Sequence, residues 1–423
     1  MSLTFLVQSQ PRLGSLAVRI QRKGVRGRVV LHGDDGGLPI TLDSRPIGRI
    51  PLPLGCAIST RYQHPVAPSS SSNPREDFRI PLLVGLKEQQ PLDVPTEPVS
   101  AGELMRWRVW GARCSRCRRV VWDSSAPRTG DGPPEEEDRP PRKRVHTATP
   151  DTTFRALPSA HWHESSEAWL CHPSGEFTKK LQSAVQTGWW PSPGVGLVAG
   201  RWVAVWVGAS GSGVSGDPEP SLTTWLPLRC PTPSCASTLG TRNVRLKGGE
   251  DGDLQGVDEA MEVESPREEL IETWRLDKYA VEFLGADESS LTCHVDEILA
   301  AEMLEHAQSL GARKFRLVDE ETGEEQLSLW LFNPDTEISW GTLRCDAFDD
   351  EWKCDVRSGR FVMVLWQDTR QSDSTPLSDR YESLEYPASA VETIRALLAG
   401  KEDGVPGDGS QMGEWTIGFV RRT

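Results

Sequence analysis

The stretch MRWRVWGARCSRCRRVVW, residues 105–122, sets two apolar segments around a short knuckle, Cys114-Ser-Arg-Cys117. Downstream, TTWLPLRCPTPSCASTLG (223–240) repeats the arrangement around Cys230-Pro-Thr-Pro-Ser-Cys235. Two cysteines separated by two to four residues reach one tetrahedral Zn²⁺ from a tight turn. Pro231 and Pro233 stiffen the second loop. Cys114, Cys117, Cys230 and Cys235 together predict a closed site of four sulfurs holding a structural zinc. Such a site leaves no open coordination position, so it holds a fold together and does not catalyse. The alternative is four ordinary cysteines, buried or exposed, with no ion between them. A shared ion would tie residues before 120 to residues after 229.

Outward from the first knuckle, the amino-terminal part reads as β. Leu16–Ile20, Arg28–Leu31, Phe78–Leu83 and Met105–Trp110 are short, apolar or aromatic, and punctuated by Gly, Pro and Asp. Pro46–Gly55 holds three prolines and cannot be helical. No helix-period run of convincing length precedes residue 150, which predicts a β-sandwich or open barrel. Residues 124–150, SSAPRTGDGPPEEEDRPPRKRVHTATP, are too polar and proline-rich to pack and read as a linker. Their Arg142-Lys143-Arg144 cluster has the composition of a nuclear import signal. Trp202–Val207 (WVAVWV) reads as a buried strand. Residues 247–264 are acidic and glycine-rich, a second linker.

The carboxy-terminal part is mixed. Ser265-Pro266-Arg267-Glu268 carries an N-cap, a proline at the first helical position and a Glu at the third, predicting a helix to about Phe283. A second helix is expected over Thr292–Leu310, with Val295, Ile298, Leu299, Met303, His306 and Leu310 on one stripe and Gly311 as its stop. Strands are expected at Lys314–Val318, Leu327–Phe332 and Phe361–Trp366, and a last helix at Ala388–Ala399. The fold class is therefore α+β: a β-rich amino-terminal half with a zinc knuckle pair, and a carboxy-terminal α+β domain. The expected organisation is a β-rich domain (1–123), a linker (124–150), a β-rich continuation completing the zinc site (151–246), an acidic linker (247–264) and the α+β domain (265–423).

Composition narrows the function classes. The chain of 423 residues has a formal net charge of −14, sixteen Trp and nine Cys. Nine is odd, so a full disulfide framework would leave one thiol over. The amino terminus MSLTFLVQSQPR lacks the basic and apolar regions of a secretory signal, and no stretch approaches the ~18 apolar residues of a membrane span. An intracellular protein with reduced thiols and no membrane partner is expected. Residues 1–150 carry 23 Lys and Arg against 15 Asp and Glu, a net +8, and the remainder carries 24 against 46, a net −22. The arginines are scattered and the acidic remainder repels phosphate, so no direct nucleic-acid binding is expected.

Other chemistry-bearing residues have plainer readings. In FRALPSAHWHESSEAWLCHPSG (154–175), His161 and His163 fall on one strand face and Trp162 on the other; Cys171 and His172 are adjacent. Either these residues pack around Trp162 and Trp169, or they hold a second metal. Cys56, Cys171, Cys293, Cys345 and Cys354 are the cysteines left for a thioester, and none carries a nucleophile's local signature. Walker-type, GxSxG, HExxH and strand-linked GxGxxG motifs do not occur.

The order CSRC (114–117), FRALPSAHWHESSEAWLCHPSG (154–175), LRCPTPSCASTLG (228–240), LSLWLFNPD (327–335) and FVMVLWQD (361–368) resembles the HECT-like proteins that bind ubiquitin-conjugating enzymes. That family has a yeast member important for cleavage and polyadenylation. In it, a Cys-x2-Cys precedes an "LP…W…W-x-CH" block, a Cys pair ending in Leu-Gly, and an "NPD" strand, over about residues 104–400 here. The resemblance implies a zinc-stabilised interaction protein that binds the pre-mRNA 3′-end cleavage endonuclease subunit and supports assembly or level of the processing factor, in nucleus and cytoplasm. It implies, as the alternative, a ubiquitin-protein ligase or an adaptor that binds a ubiquitin-conjugating enzyme. HECT ligases carry their thioester cysteine near the carboxy terminus, whereas the 69 residues after Cys354 hold none. The catalytic residue is thus unassigned.

Overall fold

The computed structural model describes residues 2–10, 15–23, 25, 29–33, 37–53, 63–66, 75–81, 97–124, 152–157, 190–209, 225–247, 269–286, 289–345, 352–369, 381–400 and 410–422. They form two units, one of Met1–Thr96 with Val295–Thr423, the other of Glu97–His294.

In the first unit, the strand Ser15–Lys23 (β2) shows how the sequence builds a sheet. Leu16, Val18 and Ile20 alternate with residues turned outward, and all three are buried. It pairs antiparallel with β1 (Ser2–Gln10) and with β7 (Arg75–Pro81). On its other edge, β1 pairs with a strand from the carboxy-terminal part, β19 (Glu325–Cys345), so that Val7 faces Ser339 and Leu3 faces Leu343. The sheet continues through β20 (Trp352–Asp368), β23 (Trp415–Arg421) and β22 (Gln411–Met412), while β18 (Lys314–Asp319) pairs with β19 and with β21 (Glu382–Tyr386). The sheet thus crosses the boundaries at 123 and 264 that the sequence suggests.

Four further strands, β3 (Val29–His32), β4 (Gly37–Leu42), β5 (Arg45–Pro51) and β6 (Gln63–Val66), make a second sheet in the order β5-β4-β3-β6. Leu31, Leu38, Ile40, Ile47 and Ile50 share one core with Leu3, Phe5, Val7, Leu16, Val18, Ile20 and Leu343 of the larger sheet. This is sandwich packing, as expected. The sheets approach closely at Gly48, where a Cβ would lie 2.6 Å from Leu343 Cδ2.

Two helices belong to this unit. The helix Val295–Ser309 buries Val295, Ile298, Leu299, Met303 and Leu304 at helical spacing. Gly311, at φ 71°, ends it, and Leu310, expected on the stripe, lies past the last turn and is exposed. The helix Ala388–Leu398 stops at Gly400, φ 64°. The Asn-Pro-Asp segment on β19 coincides with a register shift, and Arg360 grips Asp335 with two bonds of 3.2 and 2.9 Å. Arg422, almost fully buried, reaches the same carboxylate at 2.9 Å.

In the second unit, two expectations are corrected. Met105–Trp110 is not a strand. Ala101–Arg106 is a short helix (α1; the two above are α2 and α3), started by a capping box in which Ser100 N donates to Glu103 Oε2 at 2.8 Å and Glu103 N donates to Ser100 Oγ at 3.3 Å. The other correction is at Glu269–Phe283, expected as helix, which holds the strands β15 (Glu269–Asp277) and β16 (Val281–Leu284). The capping signature at Ser265–Glu268 lies outside the described residues. Tertiary pairing decides this segment: β15 is hydrogen-bonded on both sides, to β12 (Trp202–Ala209) and β14 (Thr238–Lys247).

Those strands belong to a six-stranded sheet, β10-β11-β12-β15-β14-β13, with β10 (Thr153–Ala156), β11 (Val195–Val198) and β13 (Leu226–Arg229). A four-stranded sheet runs β17-β16-β8-β9, with β8 (Gly111–Cys114), β9 (Val120–Asp123) and β17 (Ser290–Leu291). Between β15 and β16, the Lys278 side chain is fully buried; its Nζ donates to Glu97 Oε1 at 2.8 Å and to Pro98 O at 2.9 Å. Burial pushes its pKa below the ordinary 10.5. On β15, the Arg275 guanidinium lies 3.6 Å from the centroid of the Trp225 ring and 4.5 Å from that of Trp202. The β-rich α+β class read from the sequence is the class observed.

Candidate metal centre

Both knuckles sit at hairpin tips. Cys114 is the last residue of β8, and β8 pairs antiparallel with β9. Cys230 follows β13, which pairs antiparallel with β14. The first hairpin is part of the four-stranded sheet and the second of the six-stranded sheet, so the cluster joins two sheets of one unit.

The two turns are built alike. Cys114 N donates to Arg119 O at 2.8 Å and Arg118 N to Cys114 O at 2.9 Å, closing the first. Cys230 N donates to Ser237 O at 2.8 Å and Cys235 N to Thr232 O at 2.9 Å, closing the second. In each, the residue right after the second cysteine is left-handed: Arg118 at φ 64° and Ala236 at φ 48°. A non-glycine residue rarely takes this conformation, and here it turns the chain back so that both thiols face inward.

The four sulfurs lie within 4.8 Å of one another. Cys117 Sγ is 3.5 Å from Cys230 Sγ, and Cys114 Sγ is 3.7 Å from Cys235 Sγ. A tetrahedron with metal–sulfur bonds of ~2.3 Å has edges of about 3.8 Å, so the donor set fits Zn²⁺ in size and in chemistry. Among the described residues this is the group of three or more ligating side chains that a metal ion would suit. Cys114, Cys230 and Cys235 are buried and Cys117 is half-buried.

The surroundings divide the thiols. Burial pushes Cys114 up to about 11. The Thr232 hydroxyl 3.5 Å from Cys117, helped by the Arg119 backbone, brings Cys117 down to about 6. The Ser237 hydroxyl, 3.2 Å from Cys235, lowers that thiol in the same way. Four thiolates around one Zn²⁺ would carry a charge of about −2. Arg113, Arg116, Arg118 and Arg119 lie on or beside the first knuckle in sequence. Glu282, nearly fully buried on β16, orders two of them: Arg113 Nε donates to it at 2.7 Å and Arg118 also pairs with it.

Sequence reading picked out the four cysteines that cluster but not their partners. Thr232 lies inside the second knuckle and Ser237 two residues past it, so hydroxyls near the cysteines were the available signal. Glu282 had none, because it reaches Arg113 only through the pairing of β16 with β8. Among the described residues, no other cysteine joins the cluster. Cys293 and Cys345 are buried elsewhere, Cys56, Cys171, His161, His163 and His172 lie outside the described residues, and so does the Cys354 side chain. The Arg142–Arg144 cluster, residues 125–150 of the first linker and residues 248–264 of the second also lie outside them. No helix among the described residues is long and apolar enough to cross a membrane.

No curated protein and no solved structure matches the chain. A family model described as HECT-like ubiquitin-conjugating enzyme (E2)-binding matches residues 9–417, spanning both sheets of the first unit and the cysteine centre of the second. The chain belongs to the HECT-like family of proteins that bind ubiquitin-conjugating enzymes.

Proposed function

We propose that the protein is a zinc-stabilised binding partner of a ubiquitin-conjugating enzyme, an adaptor whose metal holds its shape and does no chemistry. The family match across residues 9–417 carries this reading. The centre supports the structural role: four sulfurs within 4.8 Å of one another would fill the shell of a tetrahedral ion, which would supply the positive charge that lets four thiolates sit together. Cys114, Cys117, Cys230 and Cys235 hold it. Thioester transfer needs an accessible thiol. Among the described cysteines Cys293 and Cys345 are buried, and the other four, Cys117 half-buried among them, are the ones that would be taken up by the metal, which favours binding over transfer.

The test is a binding measurement between the full-length chain and a panel of conjugating enzymes, free and ubiquitin-charged. Saturable binding to at least one enzyme is expected, weakened when the metal is stripped. Absence of binding across the panel would sink the reading. A reducing-agent-sensitive ubiquitin adduct on the chain would turn the adaptor into a ligase.

The resemblance of the ordered motifs to a factor important for cleavage and polyadenylation favours a second reading. In it the chain binds the 3′-end cleavage endonuclease subunit and supports its assembly or level, in nucleus and cytoplasm. Co-purification of that subunit from nuclear extract supports it, and its absence from the eluate speaks against it.

A further inference from the structure

The four thiols of the centre are not equally placed. Cys117 is half-buried, Cys114 is fully buried, and Cys230 and Cys235 are nearly so. The short sulfur approaches cross from one hairpin to the other, at 3.5 Å for Cys117 to Cys230 and 3.7 Å for Cys114 to Cys235. A disulfide needs about 2.05 Å, so each cross pair closes when its sulfurs move about 1.5 Å together.

We propose that the centre is also an oxidative modification site, in which a peroxide converts the Cys117–Cys230 pair and then the Cys114–Cys235 pair into disulfides that bridge the hairpins and expel the metal. This rests on the zinc reading above. Access sets the order, because Cys117 is half-buried where its three partners are buried. One peroxide oxygen passes to the Cys117 thiolate, forming a sulfenic acid as the O–O bond breaks and hydroxide leaves. The Cys230 thiolate attacks that sulfur, the S–S bond forms and a second hydroxide leaves. The two sulfurs together lose two electrons, the peroxide gains them, and the hydroxides take up protons to become water. An ion left with two thiolates is released. A second peroxide does the same at Cys114 and Cys235.

The pairing decides the consequence. A disulfide inside Cys114–Cys117 would close a small ring and leave the hairpins untied. A Cys117–Cys230 bond joins residues 113 positions apart and links the same two hairpins that the ion links. Cross-links over long loops restrict the unfolded chain most in the chain-entropy model. The oxidised, metal-free protein therefore keeps its clasp in covalent form.

The experiment uses the full-length protein. Bound zinc is measured first, hydrogen peroxide is then added in steps, and released zinc is followed with a chromogenic chelator. Disulfides are mapped by mass spectrometry of alkylated, unreduced digests. About one equivalent of zinc should leave as the Cys117–Cys230 linkage forms, and the oxidised protein should unfold at higher denaturant than the metal-free reduced protein. Linkages within Cys114–Cys117 or Cys230–Cys235 as the main products would overturn the proposal. So would retention of zinc at peroxide levels that oxidise the thiols of the metal-free protein. A preparation with no zinc at the outset defeats the zinc reading alone, and the mapped pairing still decides this one.

Discussion

Two kinds of buried polar residue give this protein its most direct tests at the scale of single residues. The first are the four clustered cysteines, proposed to hold zinc. Metal-binding free energy at a closed site is folding free energy, so Cys114→Ser and Cys230→Ser should each lose the metal and unfold at lower denaturant, read by metal analysis and equilibrium melts. A protein that keeps one equivalent of zinc after either change contradicts the four-sulfur site. The second is Lys278. Its ammonium is fully buried between Glu97 and Pro98. Removing one partner of a buried pair is costly, and Lys278→Ala should destabilise by about 3 kcal/mol. The pH dependence has a definite sign. The folded pKa lies below 10.5, so in the window between the two values the unfolded chain binds the extra proton, and stability rises with pH. Wild type should therefore gain on a Lys278→Met variant as pH climbs towards 10.5, in paired denaturant titrations.

At the scale of elements, the sequence was most informative where one strand or helix carried its own pattern. The alternation in β2, the stripe of α2 and the glycine stops at Gly311 and Gly400 were all legible. So were both knuckles, because the cysteines of each are three or five positions apart and their turn is local. What was not legible depends on a neighbour. Glu269–Asp277 has a helix-like start upstream, yet it is a strand because β12 and β14 flank it. Met105–Trp110 looks apolar enough for a strand, but Ser100 and Glu103 cap a helix turn before it, a box the spacing S-x-x-E could have shown. The close approach of two sheets at Gly48 was equally hidden. Gly48→Val would drive a side chain into Leu343 and should cost about 1–3 kcal/mol, a loss visible as a lower denaturation midpoint. On β19, Asp335→Ala would leave Arg360 and the buried Arg422 without their shared carboxylate; a drop of about 3 kcal/mol is expected from the buried arginine.

At the scale of the whole molecule, the first unit is assembled from both ends of the sequence. Strand β1 lies between β2 and β19, so residues 2–10 find one neighbour nearby and the other more than 300 positions away. No pattern in either segment announces that partnership; each looks like an ordinary apolar strand. A fragment of residues 1–123 lacks β19 and leaves one edge of β1 bare. It should not give a folded spectrum, and dispersed amide resonances from that fragment would show that the sheet is dispensable.

The same pairing imposes a timetable on biosynthesis. A ribosome adds about 5–20 residues per second, so β1 waits roughly 15–65 seconds after its own synthesis before β19 emerges. The second unit, contiguous from Glu97 to His294, has all of its strands available before that wait ends. During the interval β1 presents an unpaired edge, the feature that invites pairing with another chain. Yield in the cell should therefore respond to translation speed through residues 97–313, a stretch whose described strands all belong to other sheets than the one left waiting.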